Sequence, residues 1–265
     1  MNSPDALDQN GAPTLSDLAK VPAVTLGFWV IKILATTLGE TGGDTVSMTM
    51  NLGYLVGTAI FLGLLVLLVW WQVQARRFHP VLYWATIIAS TTAGTTMADY
   101  ATRSIGIGYT GGSLLLLACV LASLYAWHRT LGTISVESVH EPRAETFYWI
   151  TITFSQTLGT ALGDWLADTG GRGYVGAAAI FAAMLAVVAV LFFRTTINRT
   201  ILFWSAFILT RPLGAAVGDF LDKPVDHGGL ALSRPMASAA LAVAIVVLIF
   251  ALPQRAGNHP ANAAS

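Results

Sequence analysis

The chain has 265 residues, of which 55% are hydrophobic and only 11% are charged. A water-soluble domain carries about 25% charged residues, so a mean hydropathy of +0.66 indicates that lipid covers most of the surface. Fourteen basic and fourteen acidic residues cancel, which argues against a nucleic-acid-binding protein. The single cysteine excludes a disulfide framework and a thiolate metal cluster.

Two polar tails enclose the apolar part of the chain. Residues 1–20 lack the basic and then apolar segments of a cleaved signal, so they are predicted to form a solvated cytoplasmic tail, and residues 254–265 form a second tail. Between the tails, residues 21–128 contain repeats 1 and 2 with spans 1–4. Residues 129–145 form a charged linker, and residues 146–253 contain repeats 3 and 4 with spans 5–8.

Four copies of the motif W-x9-G-x3-[GA]-D-x8-G organise the apolar region, starting at Trp29, Trp84, Trp149 and Trp204. Each copy contains two long apolar stretches, and about 20 residues are enough to cross the bilayer as a helix. The sequence therefore predicts an all-α polytopic membrane protein with eight transmembrane helices, arranged as four parallel two-helix repeats around an inner bundle. The first spans are predicted at 23–47, 81–103, 146–168 and 200–222, and the second at 52–71, 111–128, 175–193 and 234–252.

The distribution of basic residues predicts the orientation. Eight basic residues lie beside the termini and the linkers between repeats, namely Lys20, Arg76, Arg77, Arg129, Arg143, Arg194, Arg199 and Arg255. The opposite loops hold only Arg103, Arg172, Lys223 and Arg234. The prediction is a protein of the bacterial inner membrane with both termini in the cytoplasm, and the motif tryptophans are expected to anchor it at the interface.

Each first span carries its small and polar residues in one helical stripe. Glycine or alanine recurs at intervals of four residues in this stripe, a pattern that lets helix backbones approach closely within a membrane. The first spans are therefore predicted to form the interior. The residues predicted to pack there are Gly39, Gly43, Gly94, Ala98, Gly159, Gly163, Gly214 and Gly218.

An aspartate follows each motif tryptophan by fifteen residues, at Asp44, Asp99, Asp164 and Asp219. That spacing is about 22 Å along a helix. A carboxylate at the bilayer centre costs at least about 2.5 kcal/mol, and the C-terminal end of a helix disfavours negative charge. The four positions favour a shared task, although aspartates that contact outside water at helix ends are an alternative. Glu40 lies one turn before Asp44 on the same face.

The stripe holds five acids but only two bases, Lys32 and Arg211, which leaves about three negative charges for protons or cations to neutralise. Lys32 and Arg211 are expected to compensate charge, as ion-pair partners of Glu40 and a neighbouring aspartate. Oxygen ligands suit hard cations such as Mn²⁺, Mg²⁺ or Ca²⁺. The predicted ion or metal site comprises Glu40, Asp44, Asp99, Asp164 and Asp219, helped by Thr37, Thr92 and Thr157. Asp168, Asp222, Asp226 and His227 are expected in a solvated loop, with an outer vestibule as the alternative.

These features favour a transporter or exporter of a hard cation or of protons. The alternative is a membrane scaffold or sensor that binds a partner or lipid without transport. No enzymatic activity and no catalytic residue are predicted, because the spans lack a nucleophile with an evident base. No cofactor is expected apart from a transported divalent cation. The expected partners are the lipid bilayer and a small cation, without nucleic acid, and the sequence leaves open whether the protein forms a homo-oligomer.

The four motif copies resemble a family of bacterial membrane proteins with four tandem two-span repeats of unknown function, described as uncharacterised membrane-anchored proteins. The resemblance covers residues 23–252. The fourth copy departs from the others, with Pro212 where they have a threonine and Gly229 where they have a tyrosine. The resemblance implies the architecture and adds almost no chemistry.

Overall fold

The computed structural model describes residues 18–258 and is predominantly helical. Eight long helices are present in this part of the chain, which confirms the all-helical prediction. They are α1 (Leu26–Asp44), α2 (Gly53–Gln74), α3 (Pro80–Asp99), α4 (Gly108–Leu131), α5 (Pro142–Asp164), α6 (Gly173–Arg194), α7 (Arg199–Asp222) and α8 (Arg234–Ala251). Two short antiparallel strands, β1 (Leu18–Pro22) and β2 (Ala256–Asn258), join the two ends of the described chain.

The odd-numbered helices form a closed ring. Helix α1 packs against α3 and α7, and α5 packs against the same two helices from the opposite side. Each even-numbered helix packs outside the ring on the inner helix of the next repeat: α2 on α3, α4 on α5, α6 on α7 and α8 on α1. We call the end at which the inner helices begin the near end, and the other the far end.

Glycines set the spacing of the ring. A Cβ atom on Gly94 would lie 2.8 Å from the carbonyl carbon of Gln156, and one on Gly214 would lie 2.9 Å from that of Thr36. Such distances are closer than packed atoms tolerate, so the backbones can meet only at residues without a side chain. Gly159 sits against Arg211 in the same manner. Gly94, Gly159 and Gly214 each lie ten residues after a motif tryptophan. The same motif position thus makes the interhelical contact in successive repeats, as four-fold pseudo-symmetry requires.

The outer helices present apolar side chains to the surroundings. Phe193 of α6 is 80% exposed and Phe250 of α8 is 76% exposed, which suits contact with lipid. By length and composition, five helices qualify as membrane spans: α2, α4, α6, α7 and α8. The inner helices α1, α3 and α5 do not reach the required hydropathy, because their stripe side chains are small or polar.

Aromatic side chains fill the near end of the ring. Trp84, Trp149 and Trp204 are at most 3% exposed, so the prediction that they anchor at the lipid interface is wrong. The indole of Trp84 donates to Gln254 Oε1 at 3.1 Å, and that of Trp204 donates to the Ile134 carbonyl at 2.9 Å. The tryptophan position belongs to the stripe that faces the ring, and packing there outweighs interfacial anchoring.

An ion pair joins the N-terminal strand to the linker. Lys20 Nζ lies 2.5 Å from Glu145 Oε1 and donates to the Val73 carbonyl at 3.2 Å. Lys20 is 8% exposed, so the predicted solvated tail differs from the structure at its last residues, where strand pairing buries the chain. Residues 1–17 of that tail lie outside the described residues. Burial raises the pKa of the Glu145 carboxyl to about 7, although the hydrogen bond from Lys20 opposes the shift.

Candidate ion-binding site in the inner ring

The four motif aspartates lie at the far end of the ring and are buried. Their exposed fractions are 0% for Asp44, 1% for Asp99, and 2% for both Asp164 and Asp219. Asp44, Asp99 and Asp164 are each the last α-helical residue before a π-helical turn, at Thr45–Thr49, Tyr100–Ser104 and Trp165–Thr169. These turns extend the helices beyond the aspartates, so the carboxylates stay within the bundle. They do not contact outside water in the way that the helix-end alternative required.

Arg103 connects two of the aspartates. Its guanidinium lies 3.1 Å from Asp99 Oδ1, one helical turn earlier, and 3.0 Å from Asp164 Oδ2 on the neighbouring inner helix. The hydroxyls of Tyr54 and Tyr109 accept hydrogen bonds from the same guanidinium at 3.2 and 3.1 Å. These tyrosines follow the last glycine of motif copies 1 and 2, so this motif position also contributes to the site.

Lys223 connects the other two aspartates. Its ammonium donates to Asp44 Oδ2 and lies 3.0 Å from Asp219 Oδ1. Arg234, at the start of α8, lies 3.8 Å from Asp44 Oδ2 and 3.5 Å from Asp222 Oδ2. Asp222 is 5% exposed. Each of the two aspartate pairs therefore shares one basic side chain from the far end. Asp222 adds a further buried carboxylate to the four motif aspartates.

Glu40 forms the next layer toward the near end. Its Oε2 accepts two hydrogen bonds of 3.1 Å from the Arg211 guanidinium. The hydroxyls of Thr95 and Thr160 each lie 3.3 Å from the same oxygen, and both also accept hydrogen bonds from Arg211. One side chain from each inner helix thus meets at this point on the ring axis, where Arg211 is 0% exposed.

Carboxylate oxygens from different helices lie close enough to share a cation. Glu40, Asp164 and Asp219 each offer an oxygen within 4.8 Å of the other two, and so do Asp44, Asp219 and Asp222. A hard cation is held by several oxygens at about 2–2.6 Å, so each of these two groups of three carboxylates is a candidate site for such an ion. Asp44 Oδ1 has no hydrogen-bond partner among the described residues.

A family model described as Repeat of Unknown Function (DUF347) matches the chain four times, at residues 27–78, 82–133, 147–198 and 202–254. The chain belongs to this repeat family. Each matched segment corresponds to one inner helix and the outer helix after it. The resemblance to a four-repeat family is thereby confirmed. No curated protein and no solved structure matches the chain.

Within the repeats of this family, the predicted threonines do not join the carboxylates. The hydroxyls of Thr37, Thr92 and Thr157 donate to carbonyls one turn earlier on their own helices. Thr95 and Thr160, one turn before the aspartates, contact Glu40 instead. Their position in the stripe, at the same offset as Glu40, is the sequence signal that identifies them.

The two predicted charge-compensating residues have different environments. Arg211 pairs with Glu40. Lys32 is 0% exposed, yet its Nζ has no hydrogen-bond partner among the described residues and lies 4.2 Å from the centroid of the Phe207 ring. The expected ion pair of Lys32 with an acid is therefore absent from residues 18–258, and Glu40, the nearest acid along α1, is paired with Arg211 instead.

The basic residues of the far end are those that the sequence prediction missed. Arg103 and Lys223 each follow an aspartate by four residues, the spacing of neighbours on one helical face, although the distribution of basic residues places them in the loops opposite the termini. Asp222 was expected in a solvated loop and is buried, because α7 continues to this residue. Asp226 and His227 have side chains that are 79% and 68% exposed, as expected for a solvated loop.

Proposed function

We propose that this membrane protein transports a hard cation, either a divalent ion such as Mn²⁺, Mg²⁺ or Ca²⁺, or protons, through the ring of inner helices. In this proposal all eight helices cross the bacterial inner membrane as four parallel hairpins, and both termini are cytoplasmic. The basic residues beside the termini support the orientation. Helices α1, α3 and α5 pack closely against their neighbours in the ring. This packing supports their crossing the membrane despite their polar stripes.

The observation that carries the proposal is the excess of acids in the far half of the ring. Six buried carboxylates are accompanied by four contacting basic side chains. The acids are Glu40, Asp44, Asp99, Asp164, Asp219 and Asp222, and the bases are Arg103, Arg211, Lys223 and Arg234. Two negative charges remain if all these groups are ionised, and burying uncompensated charge costs several kcal/mol per ion. One divalent cation or two protons would neutralise them.

The basic side chains also suggest how a cation is bound and released. Lys223 and Arg103 form ion pairs with the aspartates from the far end. Both groups are covalently part of the protein, so they can give way to a cation and return but cannot leave with it. An arriving cation would displace one of these groups from Asp219 or Asp164, and its departure would let the group return. Glu40 would extend the path toward the near end, where Arg211 would have to move aside.

The second candidate function is a scaffold or sensor that binds lipid without transport. A lateral cavity of about 610 Å³ supports it. This cavity lies outside the ring, between α1, α6 and α7, at the level of the near end. Its walls include Trp29, Leu185, Phe192 and Phe203. Apolar walls of this kind suit an acyl chain. Each motif aspartate also contacts a basic side chain that is fixed to the chain, which would suit a static role.

Flux through proteoliposomes distinguishes the two functions. Purified protein would be reconstituted with an internal dye for pH or for divalent cations, and an inward gradient of each cation applied. Transport predicts flux that falls at least tenfold in Asp164→Asn and Asp219→Asn, while Asp226→Asn, in the exposed far-end loop, keeps it. Absence of flux for every cation, or wild-type flux in both aspartate variants, would overturn the proposal.

A further inference from the structure

Lys32 is a buried cation without an acidic partner. Its side chain is 0% exposed, and its ammonium group lies against the Phe207 ring. Glu40, two turns further along α1, already binds Arg211 through two hydrogen bonds. A buried ammonium group that lacks a hydrogen-bond acceptor is among the most costly groups a protein can hold. Deprotonation, a water molecule or an anion would each relieve this cost, and the neighbouring groups favour the anion.

Other unsatisfied polar groups lie in the adjacent layer of the ring. Both amide atoms of Gln156, the Thr91 hydroxyl oxygen and Arg211 Nε lack hydrogen-bond partners among the described residues. Gln156 and Thr91 are 0% exposed. In native proteins, buried polar groups nearly always have a partner in the protein, in water or in a ligand. The donors among these groups, Gln156 Nε2, the Thr91 hydroxyl and Arg211 Nε, require an acceptor such as water or an anion.

The repeat register brings these residues to one level. Thr91, Gln156 and Arg211 each follow a motif tryptophan by seven residues, and each packs against the equivalent glycine of the preceding repeat: Gly39, Gly94 and Gly159. Lys32 lies one turn closer to the near end, facing the same axis. From the motif tryptophan to Gly39 and its equivalents, the inner helices contain no acidic residue. The local chemistry therefore favours negative charge.

We propose that a small monovalent anion of halide size binds on the ring axis between Lys32 and the layer of Thr91, Gln156 and Arg211. Ammonium, amide, hydroxyl and guanidinium N–H or O–H groups would donate to it. The inner helices pack closely at this level, where a Cβ on Gly94 would already lie 2.8 Å from the Gln156 backbone. A halide is therefore proposed because a small ion requires the least displacement of the packed side chains.

This site lies on the same axis as the proposed cation path but is separate from the far-end carboxylates. It lies on the near side of the Glu40–Arg211 pair, whereas the carboxylates lie on the far side. The anion would neutralise Lys32, and the Arg211 guanidinium would separate an anion site from the acidic layer. A failure of cation flux would leave this proposal unchanged, because its readout is halide binding rather than transport.

Thermal unfolding in halide and in gluconate tests the site at constant ionic strength. The wild-type Tm should rise with chloride or bromide and saturate, because ligand binding stabilises the folded state by mass action. Lys32→Met should unfold at a higher Tm than wild type in gluconate, since it removes the uncompensated charge, and should lose the halide response. Arg172→Met removes an exposed far-end charge and should keep the response.

Anomalous diffraction from crystals grown in bromide supplies a second readout that does not depend on variant stability. The expected result is a bromide peak within hydrogen-bond distance of Lys32 Nζ. Either of two thermal-unfolding results would overturn the proposal: a Tm in the wild type that does not respond to halide, or equal halide responses in the wild type and Lys32→Met. A water molecule in place of bromide at this position would also overturn it.

Discussion

Replacing Arg211 with methionine should destabilise the inner ring strongly, because it leaves the Glu40 carboxylate buried without its cation. Glu40 is 2% exposed and Arg211 is 0% exposed, so solvent screens neither charge. Removing one member of a buried pair costs about 3–5 kcal/mol. The Thr95 and Thr160 hydroxyls remain within 3.3 Å of Glu40 Oε2 and offset part of this loss. We therefore expect a loss of about 3 kcal/mol.

Glu40→Gln should cost a similar amount, since it leaves the guanidinium unpaired. The double variant Glu40→Gln/Arg211→Met contains neither buried charge, and replacing both members of such a pair is often nearly neutral. Its loss should therefore be smaller than the sum of the two single losses by at least about 2 kcal/mol.

A double-mutant cycle in mixed detergent micelles measures this coupling, with intrinsic tryptophan fluorescence reporting unfolding. The exposed pair Asp226 and His227, whose Oδ2 and Nε2 atoms are 3.9 Å apart, serves as the control. Asp226→Asn/His227→Gln should show no measurable coupling, because exposed pairs contribute little. Additive losses at Glu40 and Arg211 would show that the two side chains do not form the buried pair.

Two further predictions concern packing and pH. Gly94→Ala should lower stability by about 1–3 kcal/mol, the cost of overpacking, because the new Cβ would meet the Gln156 backbone at 2.8 Å. Gly63→Ala on α2, where nothing lies within 4 Å, should leave unfolding in detergent unchanged or slightly improved. Glu145 has a folded-state pKa raised to about 7 from 4.5, so the native state binds more protons and the wild type should lose stability as the pH rises through this window. Glu145→Gln should reduce that slope, and equal slopes in the two proteins would contradict the role of burial.

The repeat pattern predicts that the first spans form the interior, whereas the closed ring and its helix order come from the structure. Glycines at constant offsets from the tryptophans indicate the helix faces that meet, since only a missing side chain permits such contact. The same stripe includes the tryptophan position itself, and this could have predicted the burial of Trp84. Interfacial preference was the wrong principle there, because the tryptophan faces the other inner helices rather than lipid.

The partners of the acids could not be predicted in the same way. Arg103 and Lys223 follow the predicted inner segments at or beyond their ends, and their contacts depend on how far the helices continue. The π-helical turn Tyr100–Ser104 carries Arg103 back toward Asp99 and across to Asp164. Hydropathy does not report such a turn. Lys32 illustrates a second limit of sequence reasoning. Glu40 is the nearest acid to Lys32 along α1, but it pairs with Arg211, which is 171 positions from Glu40 in the chain.

Infrared difference spectroscopy of the carboxyl groups would show whether the far-end acids take up a mobile cation. Spectra of the reconstituted protein would be recorded as Mn²⁺, Mg²⁺ or Ca²⁺ is added and as the pH is changed. We expect a change in the carboxylate stretching bands with one of these cations or with protons, and loss of that change in Asp164→Asn but not in Asp226→Asn. Carboxyl bands that respond to none of them, or that respond equally in both variants, would disprove cation uptake by these acids.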